Sequence, residues 1–494
     1  MNTLIEILAT GVAQNSSRIA VVEGETAISY ADLEKAIVSL AAQLSELRIR
    51  PGDRVAILLP NGSEFITSYF AVVLVRGIVV PLNEQYQQSE LSHFLKETGA
   101  SLIITSQPFA NLCQQVVRSN ESPCRFFLID DRKPASVAAT LGSFAADPDA
   151  PVMYQFSSGS TGRPKRIART HRNLVFELNS LVRTLGLTHE DRFLGVTPFA
   201  HVNGLMRSMM ASLRAGATLY PVPKFERQTI AEMIQEQRIS VFIGVPFMFG
   251  VMAKTNYGCR LDFSSLRLCI SASAPMPPKL NRQFYEKFGI YVRQLYGSTE
   301  TGTISVNLST EIERSLDSVG KPIAEVEVQV YGENGQQAQV DEVGEIAVKS
   351  PAAIRSYEGS EEPARESFRD GYFFTGDLGR RDQDGLLYLV GRKKFLINKG
   401  GYKINPLEIE ALLETHPKVE EAVVVGLPTS FGDEKVKAVV VLSGPCTEKD
   451  IIEHCRGRVA DFKIPSLIEF REALPKTATG KIRRSFFAPS TQSQ

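Results

Sequence analysis

The stretch Tyr154–Arg166, YQFSSGSTGRPKR, gathers residue types that hold anions. Ser157, Ser158, Gly159, Ser160, Thr161 and Gly162 let the backbone turn tightly with several N–H groups on one side. Their hydroxyls and Lys165 add further donors. The anion such a cradle suits is a polyphosphate. The spacing is not that of the common phosphate loop, GxxxxGK[ST], and a Ser/Thr/Gly run taken alone is usually a flexible loop. A second stretch, PKTATGKIRR (475–484), sets Lys481 as a point charge on a glycine-containing loop. Alone, it reads as a solvated basic tail.

These residues need a scaffold to position them. An apolar lead-in, Val152–Phe156, predicts a strand running into the Ser/Gly stretch. Residues 31–48 place Leu33, Ile37, Leu40, Leu44 and Leu47 at helical spacing. Val55–Leu59, Gly77–Leu82 and 101–105 predict strands that alternate with helices over Glu64–Val75 and 91–98, the signature of a parallel sheet covered on both faces. Further on, Asn173–Leu185 and Met206–Arg214 predict helices. Arg192–Val196, Gly216–Pro221, Val241–Val245, Leu266–Ser271 and Tyr291–Leu295 predict strands, each followed by a turn. Ligands in open α/β sheets collect beyond the carboxyl ends of strands, where SASAP (271–275) and YGSTE (296–300) fall. From about 320 the texture changes to alternating strands, Val326–Tyr331 and Glu345–Lys349. Asp377-Leu378-Gly379 and Asp384-Gly385 punctuate a hairpin-like region. The last hundred or so residues, after a basic connector and a helix at Pro406–Glu414, predict a small α+β domain.

Composition narrows the function. With 494 residues, 43% hydrophobic and 22% charged, the chain is long enough for two domains of ordinary globular make-up. Lys+Arg and Asp+Glu balance at 55 each, which argues against a nucleic-acid partner or an anionic membrane surface. The six cysteines are scattered without a CxxC pair, as expected of reduced thiols in the cytoplasm. No secretory leader and no membrane insertion are expected.

Taken in order, SSGSTGRPK (157–165), PFAHVNG (198–204), SASAP, YGSTE, TGDL (375–378), GRKKFLINKGGYKINPLEIE (391–410) and PKTATGKIRR resemble the motifs of the adenylate-forming superfamily of acyl- and aryl-CoA synthetases, adenylation domains and luciferase-type enzymes. The resemblance spans nearly the whole chain. It implies an α/β fold: a large N-terminal domain of helix-covered mixed sheets with a β-barrel-like subdomain (1–393), then a small mobile α+β domain (394–494).

The resemblance also implies two half-reactions. A carboxylate attacks the α-phosphorus of ATP, and a thiol then displaces AMP. By residue, Ser157 to Gly162 and Lys165 would hold the outer phosphates. Glu300, with Thr161 nearby, would hold Mg²⁺, a hard cation that takes oxygen ligands. Thr299 would meet the α-phosphate. Tyr296, followed by Gly297 and Ser298, would stack on adenine, bordered by Ser273, Ala274 and Pro275. Asp377 and Arg392 would take the ribose. Lys481 would bridge the attacking carboxylate and the α-phosphate, where negative charge builds up. Lys394 stands at the family's hinge, and Gly400 and Gly401 lie where the thiol channel opens.

The acyl pocket in this resemblance is lined by His201, Asn203, Arg207, Ala272, Leu295, Thr303 and Ile304. Ala272 and Leu295 stand where relatives with long or aromatic pockets often have glycine, which implies a compact acid. Arg207 has two readings. Facing inward, it suits a second carboxylate or polar group on the acid; otherwise it snorkels to the surface. No aspartate near His201 offers to bind an α-ammonium, so an amino acid is not expected. Arg166 and Asn398 depart from the family pattern; the first adds a cation beside the nucleotide, the second removes a lysine common in CoA ligases. The thiol is expected to be CoA, with a carrier protein's phosphopantetheine as one alternative and a non-catalytic nucleotide-binding protein as another.

Overall fold

The computed structural model describes residues 2–119, 124–132, 140–141, 146–157, 165–355, 357, 367–399, 402–429, 434–477 and 481–487. The chain divides into two compact units. One comprises 1–317, 321–327 and 349–365; the other comprises 318–320, 328–348 and 366–494.

The first unit opens on a helix, Leu4–Asn15, followed by β1 (Ile19–Glu23) and β2 (Thr26–Ser29), an antiparallel pair. A six-stranded sheet follows from β3 (Arg54–Leu58), β4 (Ile78–Pro81), β5 (Leu102–Thr105), β6 (Arg125–Leu128), β7 (Pro151–Ser157) and β8 (Lys165–Thr170), in the order β6-β5-β3-β4-β7-β8. All its pairings are parallel except β7 with β8. β4 and β5 are buried throughout and β3 nearly so, as parallel strands covered on both faces must be. Ala56, Leu58, Val80 and Ile103 pack with Leu95 and Phe94 of the helix Gln88–Thr98.

A second sheet is built on β9 (Arg192–Gly195), β10 (Thr218–Pro221), β11 (Val241–Gly244) and β12 (Leu268–Ser271), parallel in the order β12-β11-β9-β10. β1 joins it in parallel beside β10. Its core is aromatic: Phe249 stands between Phe242 and Phe284, at ring distances of 5.1 and 5.3 Å. β13 (Arg293–Ser298) pairs in parallel with β12, then turns back as β14 (Gly302–Val306). The expected turn after Leu295 therefore comes later, because Tyr296, Gly297 and Ser298 are still paired within the hairpin.

The connection from β8 into the next helix is capped at both ends. Thr170 accepts from the Asn173 amide at 3.2 Å, the Asn173 side chain returns to the Thr170 amide at 3.1 Å, and the helix His171–Leu185 stops at Gly186 with φ 55°. His171 is buried at its start, where Nδ1 accepts from the Leu4 amide at 3.2 Å. Burial pulls its pKa from 6.5 down to about 4. The unfolded chain binds this proton first, so the contribution is whole above pH 6.5 and is lost as pH falls toward 4, at about 1.4 kcal/mol per pH unit. We expect the wild type to lose about 2–3 kcal/mol more than His171→Asn between pH 7 and 4.5. Urea unfolding at the two pH values checks this, and equal losses would refute it.

After β15 (Ser318–Pro322), the second unit holds a sheet of β16 (Glu327–Tyr331), β17 (Gly344–Lys349), β19 (Tyr372–Arg381) and β20 (Leu387–Arg392), with β18 (Phe368–Arg369) on β19. Asp377-Leu378-Gly379 lies inside β19 rather than at a turn, with a register shift after Leu378. Gly385, at φ 80°, does turn the chain. A short hairpin, β21 (Ile397–Lys399) with β22 (Tyr402–Ile404), precedes a three-stranded sheet. That sheet is β23 (Val419–Pro428), β24 (Glu434–Leu442) and β25 (Leu467–Arg471). β24 is buried on both faces. Val436, Ala438 and Val440 meet Ile409 and Leu413 of the helix Pro406–Glu414, while Val439 and Val441 meet Leu474 and Phe487.

All six cysteines are free. Among the described residues, no helix is long and apolar enough to cross a membrane.

Candidate active site

In the first unit, the β13–β14 hairpin carries Tyr296, Gly297 and Ser298 on one arm, Thr299 and Glu300 in its turn, and Thr303 and Ile304 on the other arm. Its turn is fastened internally: the Ser298 and Thr301 hydroxyls share a hydrogen bond at 3.0 Å, and the Thr301 amide donates to Ser298 Oγ at 3.2 Å. A Cβ on Gly297 would lie 2.4 Å from the Gly302 carbonyl and 2.6 Å from Arg207 Nη2, so only glycine fits. The Glu300 carbonyl accepts from the Ile354 amide at 2.8 Å, and its carboxylate accepts from the Tyr357 hydroxyl at 3.4 Å. Glu300 is half-buried and pairs with no Lys or Arg among the described residues. A lone oxygen donor of this kind fits Mg²⁺, which takes one or two carboxylates and otherwise water and phosphate. Among the described residues no cluster of three acidic, His or Cys side chains offers a protein-only cage.

Beneath the hairpin lies a charged network that the sequence reading missed. Arg169, on β8, and Glu177, on the following helix, are both 0% exposed and pair at 3.0 Å. Arg169 Nη1 also donates to the Thr299 carbonyl at 2.8 Å. Glu177 Oε1 accepts from the Thr303 amide at 2.9 Å and its hydroxyl at 3.0 Å. Thr303 Oγ1 in turn accepts from Arg207 Nε at 3.1 Å. Arg207 is thus buried, and the snorkelling reading is set aside. Burial pulls its pKa down to about 10, against the pull of Glu177 and with the push of Arg169. Arg207, Glu177 and Arg169 together carry one net positive charge.

Arg207 and Asn203 lie on a π-helical turn, Asn203–Met210, where an ordinary helix was expected. Their side chains meet across it, Nη1 to Oδ1 at 3.4 Å. His201, just before the turn, contacts Asn83 Nδ2 at 3.0 Å through Nε2. The preceding loop is held by Asn61, which the sequence reading also missed. Its Nδ2 reaches the carbonyls of Gly195, Thr197 and Val222 at 3.0, 3.0 and 3.2 Å, and its Oδ1 accepts from the Phe199 amide at 2.7 Å. Ala272 and Leu295 are buried, as are Thr303 and Ile304. Ser273, ahead of Ala274 and Pro275, adopts a left-handed φ of 74°.

β7 and β8 place Ser157 directly across from Lys165, so the ends of the Ser/Gly run are neighbours. Ser158, Gly159, Ser160, Thr161 and Gly162 lie outside the described residues, as do Gly400 and Gly401. The departure at Arg166 is occupied with its own sheet and a helix beside it: its guanidinium sits 5.2 Å over the Tyr154 ring and donates to the Glu97 carbonyl of the helix Gln88–Thr98.

In the second unit, Asp377 and Arg392 face each other across β19 and β20 and form an ion pair. The Thr375 hydroxyl accepts from the Asp377 amide at 3.1 Å. Lys394 belongs to the single turn Lys393–Phe395, its ammonium 4.6 Å from the Phe395 ring; Lys393 pairs with Glu345 at 2.9 Å. The Asn398 amide donates to Glu434 at 2.6 Å. Lys481 is exposed. Its carbonyl accepts from the Thr477 amide at 2.8 Å, and its amide donates to the Thr477 hydroxyl at 3.1 Å. Lys476 and Ile482 form an antiparallel bridge below it. Next along the chain, Arg484 is locked to the buried Glu410, which also accepts from the Val424 amide at 2.6 Å. The tip bearing Lys481 therefore stands on a fixed base.

The family model of the AMP-binding enzyme matches residues 8–358, and that of the AMP-binding enzyme C-terminal domain matches 408–481. The oxalate–CoA ligase of Arabidopsis thaliana is 32% identical, over 94% of this chain and 94% of its own. The long-chain-fatty-acid–CoA ligase of Bacillus subtilis is 30% identical, over 98% and 93%. The crystal structure of ATP-bound MatB from Rhodopseudomonas palustris superposes with a TM-score of 0.89 at 27% identity, covering 98% of both chains.

Proposed function

The chain belongs to the AMP-binding enzyme family of adenylate-forming enzymes, an AMP-forming acid–thiol ligase, and on that premise we propose that it joins a compact, polar carboxylic acid to CoA. An acid oxygen attacks the α-phosphorus of ATP, the bond to the β-phosphate breaks, and pyrophosphate leaves. The CoA sulfur, giving up its proton, then attacks the acyl carbon, and the bond to AMP breaks. The observation that carries this reading is the match along nearly the full chain, at both ends, to enzymes that are CoA ligases.

In this reading the Ser157–Gly162 run and Lys165 receive the outer phosphates. Tyr296 and Ser273–Pro275 receive the base, and Asp377 with Arg392 the ribose. Thr299 meets the α-phosphate, and Glu300 with Thr161 holds magnesium. Bound there, the ion would neutralise phosphate charge. Lys394 is the hinge, and Gly400 and Gly401 admit the thiol. Buried Ala272 and Leu295 keep the acyl floor shallow.

Acid-dependent pyrophosphate exchange across small aliphatic, aromatic, hydroxy and dicarboxylic acids tests this. At least one compact acid should support exchange and then yield a CoA thioester, but no thioester with a holo carrier protein. Exchange with fatty acids alone would overturn the substrate class, and no exchange with any acid would overturn the reading.

Arg207 supports polarity in the acid. A buried guanidinium in a cluster of net positive charge favours an anionic neighbour. Arg207→Ala should raise the KM of a dicarboxylic acid by roughly tenfold to a hundredfold, the worth of one charged hydrogen bond, and leave that of its monocarboxylic analogue within about twofold. Equal changes for both acids would end the idea.

A further inference from the structure

We propose that Arg169 and Glu177 form a positioning pair that sets where the Glu300 carboxylate stands, and through it how tightly magnesium couples to ATP. The inference rests on the reading of Glu300 as the magnesium carboxylate. Neither Arg169 nor Glu177 touches a substrate in that reading; both act through the turn between β13 and β14.

That turn is gripped at both ends. At its start, Arg169 Nη1 holds the Thr299 carbonyl at 2.8 Å. At its finish, Glu177 Oε1 holds the amide and hydroxyl of Thr303 at 2.9 and 3.0 Å. Glu300 lies between the two grips. The two gripping residues are then joined to each other, Nη2 to Oε2 at 3.0 Å. The turn is also pressed onto the pair: a Cβ on Gly302 would fall 2.4 Å from Glu177 Oε2. Arg169 sits four residues beyond Lys165 on β8, and Glu177 sits on the helix that β8 enters. The strand leaving the anion-holding run is therefore tied to the turn that carries the acid.

Stability alone does not account for the pair. Desolvating two charges usually offsets what their attraction returns, and well-packed apolar residues do as well or better. Arg169 even leaves its own Nε sealed without a partner. What the charged pair supplies is direction. A planar fork reaches a carbonyl and a carboxylate at fixed angles, which a lysine ammonium does not. Ligand geometry is sensitive to shifts of about an ångström.

The test is equilibrium binding of ATP by the full-length protein across a magnesium titration, with thermal unfolding measured in parallel. Arg169→Met alone strands a buried carboxylate, so it is combined with Glu177→Gln, which keeps an acceptor for the Thr303 amide. In this double variant the magnesium concentration for half-maximal tightening should rise about tenfold, near the worth of one hydrogen bond, while ATP affinity without magnesium stays within about twofold. Arg169→Lys, which keeps the charge and loses the fork, should show a smaller rise of about threefold. Glu300→Gln should lose the magnesium dependence. A wild-type magnesium titration in either Arg169 variant, with Glu300→Gln impaired, refutes the positioning role and leaves the metal reading standing. Unchanged magnesium dependence in Glu300→Gln refutes the metal reading itself.

Discussion

Replacing Lys481 with alanine should lower acid-dependent pyrophosphate exchange by about two to three orders of magnitude, the usual cost of losing one donor at a developing charge. The expectation follows from the support of the side chain as much as from its charge. Lys481 is exposed, yet the backbone on which it stands is bonded to Thr477 in both directions, and Arg484 is fixed to buried Glu410. A cation on a fixed base loses little freedom when it meets two negative groups, so more of its attraction reaches the transition state. The second half-reaction separates this role from general damage. When a synthetic acyl-adenylate is supplied, release of AMP by CoA should stay within about threefold of wild type, since the charge is required where the carboxylate meets the α-phosphate. Equal losses in both half-reactions would mean that the residue supports the fold and not the adenylation step.

Gly204→Ala should unfold or insolubilise the protein. Its Cβ would lie 2.2 Å from the Thr197 carbonyl oxygen, 2.4 Å from that of Pro198 and 2.7 Å from the Pro198 carbonyl carbon. All three neighbours are backbone, and Asn61 holds the surrounding 195–199 segment through three hydrogen bonds, with the Gly195 and Thr197 carbonyls and the Phe199 amide. The clash has no side chain to displace, so the loss should be about 3 kcal/mol or more. Gly444→Ala is the matched control, since nothing lies within 4 Å of its Cβ. Urea unfolding of the two variants distinguishes the outcomes. A Gly204→Ala protein as stable as the control would show that the loop before His201 is far softer than its bonding implies.

Much of the scaffold was legible because its signals are strong and local. The apolar runs of β3, β4 and β5 are long enough to demand burial, and Thr170 with Gly186 brackets its helix from either end. The hairpin strand was read too short because Gly297 and Ser298 look like turn residues; their pairing with Gly302 and Thr303 is a tertiary fact. The π-helical turn was invisible for another reason. Leu205, Met206, Met209 and Met210 are all buried, so no polar face marks its period. The charged network hid behind ordinary statistics, for an arginine and a glutamate eight residues apart usually lie on a surface. Asn61, between a proline and a glycine, reads as a turn and acts as a clamp.

A π-helical turn is an α-helix that has taken in one extra residue. Deleting a neighbour of Arg207 within Asn203–Met210 lets the segment return to α-helical winding with its flanks in register, and re-aims the residues that remain inside it. Arg207 would then swing out of the company of Thr303 and Glu177 without any change in its own identity. On the proposed role of Arg207, acid preference is open to revision by a change in chain length as well as by replacement of a side chain.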